Sequence, residues 1–229
     1  MSLKKWTPRE RPGQWPLTGD RVVLEPLDWE AHLNGLYDAV AAPDVADIWT
    51  YMPIGPFESR KQFRKVFGFV AEDAGWETLV IRRAKGGDVL GMSSYMRIRE
   101  AHGSAEIGCV AFGPDLKRSA EATEAMSLMA GHVFDELGYR RYEWKCHNEN
   151  AASKRAAERF GFQFEGIFRN DMVVKGKSRD TAWYAMTDED WPAIKRAFRA
   201  WLAPKNFDAA GDQKKRLESF RAASRRTRA

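Results

Sequence analysis

Apolar residues recur every three or four positions through Ala122, Ala125, Met126, Met129, Val133 and Leu137, the spacing of one buried face on an α-helix. Gly138 ends that run as a left-handed stop, after which Tyr142, Trp144 and Cys146 alternate with Glu143 and Lys145 in the two-residue period of a strand. The polar stretch from His147 to Ala152 breaks the alternation, and helical spacing resumes from Ser153 through Ala156, Ala157 and Phe160 to Gly161. Residues 115–162 therefore predict a loop, a long helix, a strand, a polar turn and a second helix.

Upstream, residues 21–26 predict a first strand ended by Pro26. Asp28 caps a helix with Trp29, Leu33, Leu36, Tyr37 and Val40 on one face, and Ser59 starts another carrying Phe63, Val66, Phe67, Val70 and Ala71. From Trp76 the period shortens to two. Residues 77–82, 88–97 and 103–112 predict three consecutive strands, with residues 85–88 as the hairpin turn between the first two. Short connections favour an antiparallel meander, whereas the helix after the third strand crosses to the Tyr142 strand, and the crossover rule makes that pair parallel. Residues 167–174 and 181–186 predict a closing hairpin around Lys175–Lys177. Trp191, Ile194, Phe198 and Trp201 share one face of a terminal helix, which docks on the sheet or on a second subunit of a homodimer.

A chain of 229 residues, 44% hydrophobic, suffices for one core. We divide it into a Pro- and Trp-containing lead at 1–20, a domain at 21–187, a terminal helix at 188–202 and a basic tail at 203–229. The net charge of +5 belongs to that tail, because residues 1–202 hold 29 basic and 29 acidic side chains. A basic tail can attract RNA, a ribosome or anionic lipid, or it can be a solvated end; no nucleic-acid motif accompanies the charge. Cys109 and Cys146, both predicted to face inward, are too few for a disulfide scaffold or a zinc site. No apolar run approaches the length of a membrane span and no signal-peptide pattern opens the chain, so a soluble, cytoplasmic protein is expected.

The candidate chemistry begins at the N-terminus of the long helix, where unsatisfied amides and the positive dipole end meet Lys117 and Arg118. Phosphate is the natural guest of such an end, although Ser119 also reads as a plain helix cap with solvated cations beside it. The segment resembles the core of the GNAT acyl-CoA N-acyltransferase superfamily, and within it the RimJ/RimL-like acetyltransferases. The superfamily's pyrophosphate pattern, Gln or Arg, two residues, Gly, one residue, Gly or Ala, falls on Lys117, Ala120 and Ala122. Lys117 stands where Gln or Arg is usual, and Ala120 where Gly is usual. The later Asn-x-x-Ser stretch, with its helix ending in Gly-Phe, falls on Asn150, Ser153, Gly161 and Phe162.

The resemblance implies an α+β fold: a mixed, mostly antiparallel central sheet, helices on both faces and a splayed parallel strand pair. It implies acetyl-CoA as acyl donor, its pyrophosphate held by Lys117, Arg118, Ser119, Ala120, Glu121, Ala122 and Thr123. The pantetheine arm would bond the backbone of Val110, Ala111 and Phe112, with Asn150 orienting its amide. The acceptor would be a primary amine, on a small molecule or a protein N-terminus. Acyl transfer to an amine requires a base and a proton donor for the departing thiolate, but no metal or covalent nucleophile. The superfamily's usual tyrosine donor position is Ala157 here, and the RimJ/RimL-like pattern offers Ser153 instead. Glu106 and Asp171 are the carboxylates expected to face the acceptor, though one register puts Met172 at the second position; His147 is a further base. The rival reading is a non-catalytic CoA-binding sensor or scaffold.

Overall fold

A computed structural model describes residues 3–226, with side chains through Arg221. In chain order, β1 (Leu17–Thr18) and β2 (Val22–Pro26) lead into α1 (Trp29–Val40), a 3-10 stretch over Pro43–Trp49, and α2 (Arg60–Asp73). The meander β3 (Glu77–Arg83), β4 (Val89–Arg99) and β5 (Ser104–Phe112) follows. Next come α3 (Ala120–Gly131), β6 (Arg141–His147), α4 (Ala151–Phe160) and the hairpin of β7 (Gln163–Val174) and β8 (Lys177–Thr187). Helices α5 (Trp191–Leu202) and α6 (Leu217–Arg226) close the chain.

The strands form one sheet in the order β1-β2-β3-β4-β5-β6-β8-β7. Among the described residues β5–β6 is its parallel pair, and the other neighbours are antiparallel. This is the mixed, mostly antiparallel architecture expected from the hydrophobic periods. Alternation along the strands gives the sheet two apolar faces. Tyr95, Ile107, Tyr142, Trp144 and Tyr184 pack on one side with α3 and α5, and Val80, Met92 and Ala111 pack on the other with α1 and α2. Such two-sided burial is what a central sheet needs to exclude water from both faces.

Three features depart from the sequence expectation. The long helix ends at Gly131 and continues as a π turn over His132–Glu136, in which Val133 and Phe134 are both buried and His132 Nδ1 lies 2.7 Å from Glu136 Oε2. The extra residue of a π turn rotates the following face, a change that apolar spacing alone does not register. Second, α4 is capped by Asn150, whose Oδ1 accepts from Ser153 N at 3.0 Å, so Ser153 is freed from the capping role open to it. Third, two extra residues bulge β7 between Phe168 and Met172, with Asn170 at φ +51° and Asp171 exposed.

The described ends of the chain lie on the domain. Arg9 N donates to Glu100 O, Trp6 Nε1 to Ala101 O and Tyr139 Oη to Glu10 O. α5 docks within its own chain: Trp191 stacks on Phe134 and Phe198 on Phe160. Beyond it, Phe207 packs edge-on against Trp201, Leu217 is buried, and Arg221 donates to Glu158 O at 2.8 Å. The tail is thus docked as far as Arg221, and its last residues, 227–229, fall outside the described residues. No helix among the described residues is long and apolar enough to cross a membrane.

Candidate active site

The parallel ladder between β5 and β6 runs from Ser104↔Arg141 to Ile107↔Trp144 and stops. β5 continues to Phe112 beside β4, and β6 continues to His147 beside β8, so the two strands part and leave a wedge. A bulge drives the separation. One extra residue of β5 lies between Gly108 and Ala111, where Cys109 adopts φ +45°. One edge of residues 108–112 therefore offers backbone donors and acceptors to any extended guest, while Val110 and Phe112 turn toward α3.

At the end of β5 the chain turns into α3 through residues 113–119. Gly113 is required there by close approach, because a Cβ would lie 2.8 Å from the carbonyl oxygens of Ala39 and Leu90. Ser119 caps α3: its Oγ accepts from Ala122 N at 3.0 Å and donates to Leu116 O at 2.8 Å. Among the described residues the amides of Arg118, Ala120 and Glu121 meet no acceptor, so the helix end is open to an anion. Arg118 holds φ +63°, and Ala120 enters the helix directly, which lets Ala stand where the motif has Gly.

The side chains around this end divide. Glu121 turns away to Arg83 at 3.3 Å, which removes its charge from the anion site and leaves its amide there. Lys117 lies 3.7 Å from Asp47, and Arg118 is exposed. The Thr123 hydroxyl donates to Ser119 O and accepts from Arg159, so it braces α3 against α4.

On the α3 side of the wedge, Ser153 Oγ accepts from Trp144 Nε1 at 3.0 Å. It faces the Cys146 thiol, which burial pushes up and the serine hydroxyl draws back down. With one lone pair engaged by the indole, the serine hydroxyl keeps its proton to donate. Asn150 spends its Oδ1 on the cap, which leaves its amide nitrogen as a donor.

The opposite face carries the charges. Glu106 lies between Ala105 and Ile107, which point into the α3 core, and so turns the other way with 1% exposure. Its Oε2 sits 3.4 Å from Lys145 Nζ and 3.6 Å from Arg97 Nε, with no hydrogen bond. Burial pushes its carboxyl up to about 7, against the pull of Lys145 and Arg97. Gly108 makes room for it, since a Cβ there would meet Met96 Sδ at 2.2 Å and Glu106 Oε1 at 3.1 Å. The other predicted carboxylate, Asp171, sits on the exposed β7 bulge and makes no ion pair among the described residues. His147 lies under Tyr51, ring centroids 5.2 Å apart, with Nδ1 accepting from Glu149 N at 3.1 Å.

Several site groups carried no sequence signal of their own. Trp144 registers as core until its indole is seen on Ser153. Lys175, at the tip of the β7–β8 hairpin, donates to Trp49 O at 2.8 Å and so ties the hairpin to the 3-10 stretch on the same side as Tyr51. Arg97 lies over the Trp183 ring at 4.9 Å and Lys145 at 5.4 Å. A surface cavity of about 680 Å³ lined by Trp29, Lys61, Phe69 and Trp76 opens on the far side of β4 and includes none of these residues.

Comparison with known proteins converges on one family. The model of the acetyltransferase (GNAT) domain matches residues 21–163. The crystal structure of a GCN5-related N-acetyltransferase from Brucella melitensis superposes with a TM-score of 0.90 at 46% identity, covering 96% of this chain and 100% of that one. Among curated proteins, the uncharacterized N-acetyltransferase YoaA of Bacillus subtilis is 30% identical over 106 residues, 46% of this chain. YdaF of the same organism, named provisionally as a ribosomal N-acetyltransferase, is 27% identical over 109 residues, 48% of this chain. The chain spans 59% of the length of each of these two relatives.

Proposed function

Because the chain belongs to the GNAT acetyltransferase family, we propose that it is an N-acetyltransferase moving an acetyl group from acetyl-CoA to a primary amine by direct attack. The observation that carries this reading is the pairing of an opened strand edge at residues 108–112 with a helix end whose Arg118, Ala120 and Glu121 amides meet no acceptor among the described residues. The helix end suits a diphosphate and the strand edge suits an amide-bearing arm. The position of Glu121 supports the reading, since its carboxylate is already held on Arg83 and away from the anion site. Lys117 and Arg118 add positive charge to the same turn, and the Asn150 amide nitrogen is a donor for the arm. Acetyl-CoA would supply the activated acyl group.

In this reading the amine loses its proton to Glu106, and its nitrogen then attacks the acetyl carbon. A carbon–nitrogen bond forms, the nitrogen of the tetrahedral intermediate releases its second proton to solvent, the carbon–sulfur bond breaks, and the departing thiolate takes the Ser153 proton, which solvent replaces. A carboxyl near 7 is suited to its part, because a base titrating near working pH combines availability with strength. Asp171 contributes to the acceptor mouth rather than to proton transfer, given its exposed place on the bulge. The RimJ/RimL-like branch is supported by the Asn150–Ser153 pattern and by the likeness to YdaF. The test is thiol release from acetyl-CoA against a panel of amines, with calorimetry of CoA binding. Absence of both heat and thiol would remove the proposal.

A further inference from the structure

The face of β8 opposite the α3 core carries a row of polar side chains that the protein itself leaves unsatisfied. Ala182 and Tyr184 point into that core, so Thr181 and Trp183 turn to the other face, and Arg179 continues the alternation. Arg179 is 6% exposed, yet no hydrogen bond or ion pair reaches its guanidinium among the described residues, and its Nε is buried. Thr181 Oγ1 and Trp183 Nε1 are likewise buried without partners. Trp183 lies beneath Arg97 and Lys145, the two cations that pair with Glu106 Oε2. Buried polar groups are nearly always satisfied, and a buried cation without an anion is among the costlier exceptions. Three on one face, next to the candidate base, mark a ligand surface.

We infer that this surface selects an acceptor carrying a carboxylate as well as its amine, an amino acid or a compound of that kind, with the carboxylate on Arg179 and the amine at Glu106. The inference rests on the transferase reading and adds the acceptor class to it. A planar guanidinium matches a carboxylate in two parallel hydrogen bonds, and the Thr181 hydroxyl and Trp183 indole on the same face are further free donors for an acceptor's polar atoms. Protein carboxylates do not fill the role: Asp171 and Glu106 act on Arg179 through space, and neither closes an ion pair with it. The surrounding charge has the matching sign, because Arg97, Lys145, Lys175 and Arg179 outnumber Glu106, Glu143 and Asp171 on this side of the wedge. A polyamine, which brings several positive charges, meets repulsion there.

The experiment compares amino acids with their carboxamides and with polyamines in thiol release, and measures binding of an N-acetylated amino acid and its amide by calorimetry in the presence of CoA. Wild type should favour the free acid by at least tenfold in kcat/KM and in affinity. Arg179→Met should erase that preference while retaining CoA binding. Its melting temperature should hold or rise, because a buried charge has been replaced by an apolar chain of similar length, and Arg179→Lys should restore part of the preference. Equal use of acid and amide by wild type, a preference for polyamines, or an unchanged ratio in Arg179→Met overturns the inference while leaving acetyl transfer intact. Loss of CoA binding in wild type would instead strike the transferase reading itself.

Discussion

Trp144 Nε1 donates to Ser153 Oγ at 3.0 Å, across the turn that joins β6 to α4. The strand fixes the indole and the indole engages the hydroxyl oxygen, which leaves the serine proton available to donate. Ser153→Ala should therefore lower kcat by about 10²-fold, the usual scale for one general acid, with CoA affinity unchanged. Trp144→Phe keeps the packing but releases the hydroxyl, so its loss should be smaller and confined to kcat. Pre-steady-state thiol release measures both, and an unaltered rate in Ser153→Ala would remove the serine from the chemistry.

Glu106 gives a pH signature in both activity and stability. With its carboxyl near 7, kcat/KM should climb as pH rises through that value, and Glu106→Gln should flatten the climb and cost about 10²-fold. In the unfolded chain the same group titrates near 4.5. Between those two values the folded protein holds a proton that the unfolded chain has released, so stability must fall as pH rises. The fall is on the order of 2–3 kcal/mol from pH 5 to 8, and it should vanish in Glu106→Gln. Urea titrations at the two pH values read it directly.

Ala120 tests the open helix end. Ala120→Asp places a carboxylate where the free amides converge, which favours the helix by about 0.3–1 kcal/mol and competes with any diphosphate. Melting temperature should hold or rise while CoA binding weakens at least tenfold by calorimetry. Weakened folding together with unchanged CoA affinity would place the donor elsewhere.

The tail makes a stability prediction. Leu217 is 1% exposed and seats α6 against the core, so Leu217→Asp should cost about 2–4 kcal/mol in denaturant titration. Thiol release per folded molecule should not change. The tail's first role would then be packing, with any attraction to polyanions carried by the same residues.

Much of this arrangement was legible in the spacing of apolar residues. The alternation of Tyr142, Trp144 and Cys146 placed Glu143 and Lys145 on the other face, and the crossover rule gave the parallel pair. What was not legible depends on contacts between distant segments. The Trp144–Ser153 bond joins a residue that reads as core to one that reads as cap. Glu121 reads as an intruding charge until Arg83, 38 positions away, is seen to hold it. Arg179, Thr181 and Trp183 look like an ordinary solvated alternation, and only their burial without partners distinguishes them. The β7 bulge was likewise invisible, because extra residues in an exposed edge strand disturb no apolar period.

Ile107↔Trp144 is the last rung at which the two halves of the sheet touch, and only four rungs precede the gap or include it. Strands β1–β5 on one hand and β6–β8 on the other are thus two leaves with a short spine. Anything lodged between the leaves serves as additional binding for the book, so occupancy should stiffen the whole molecule and slow amide exchange in strands that no guest touches.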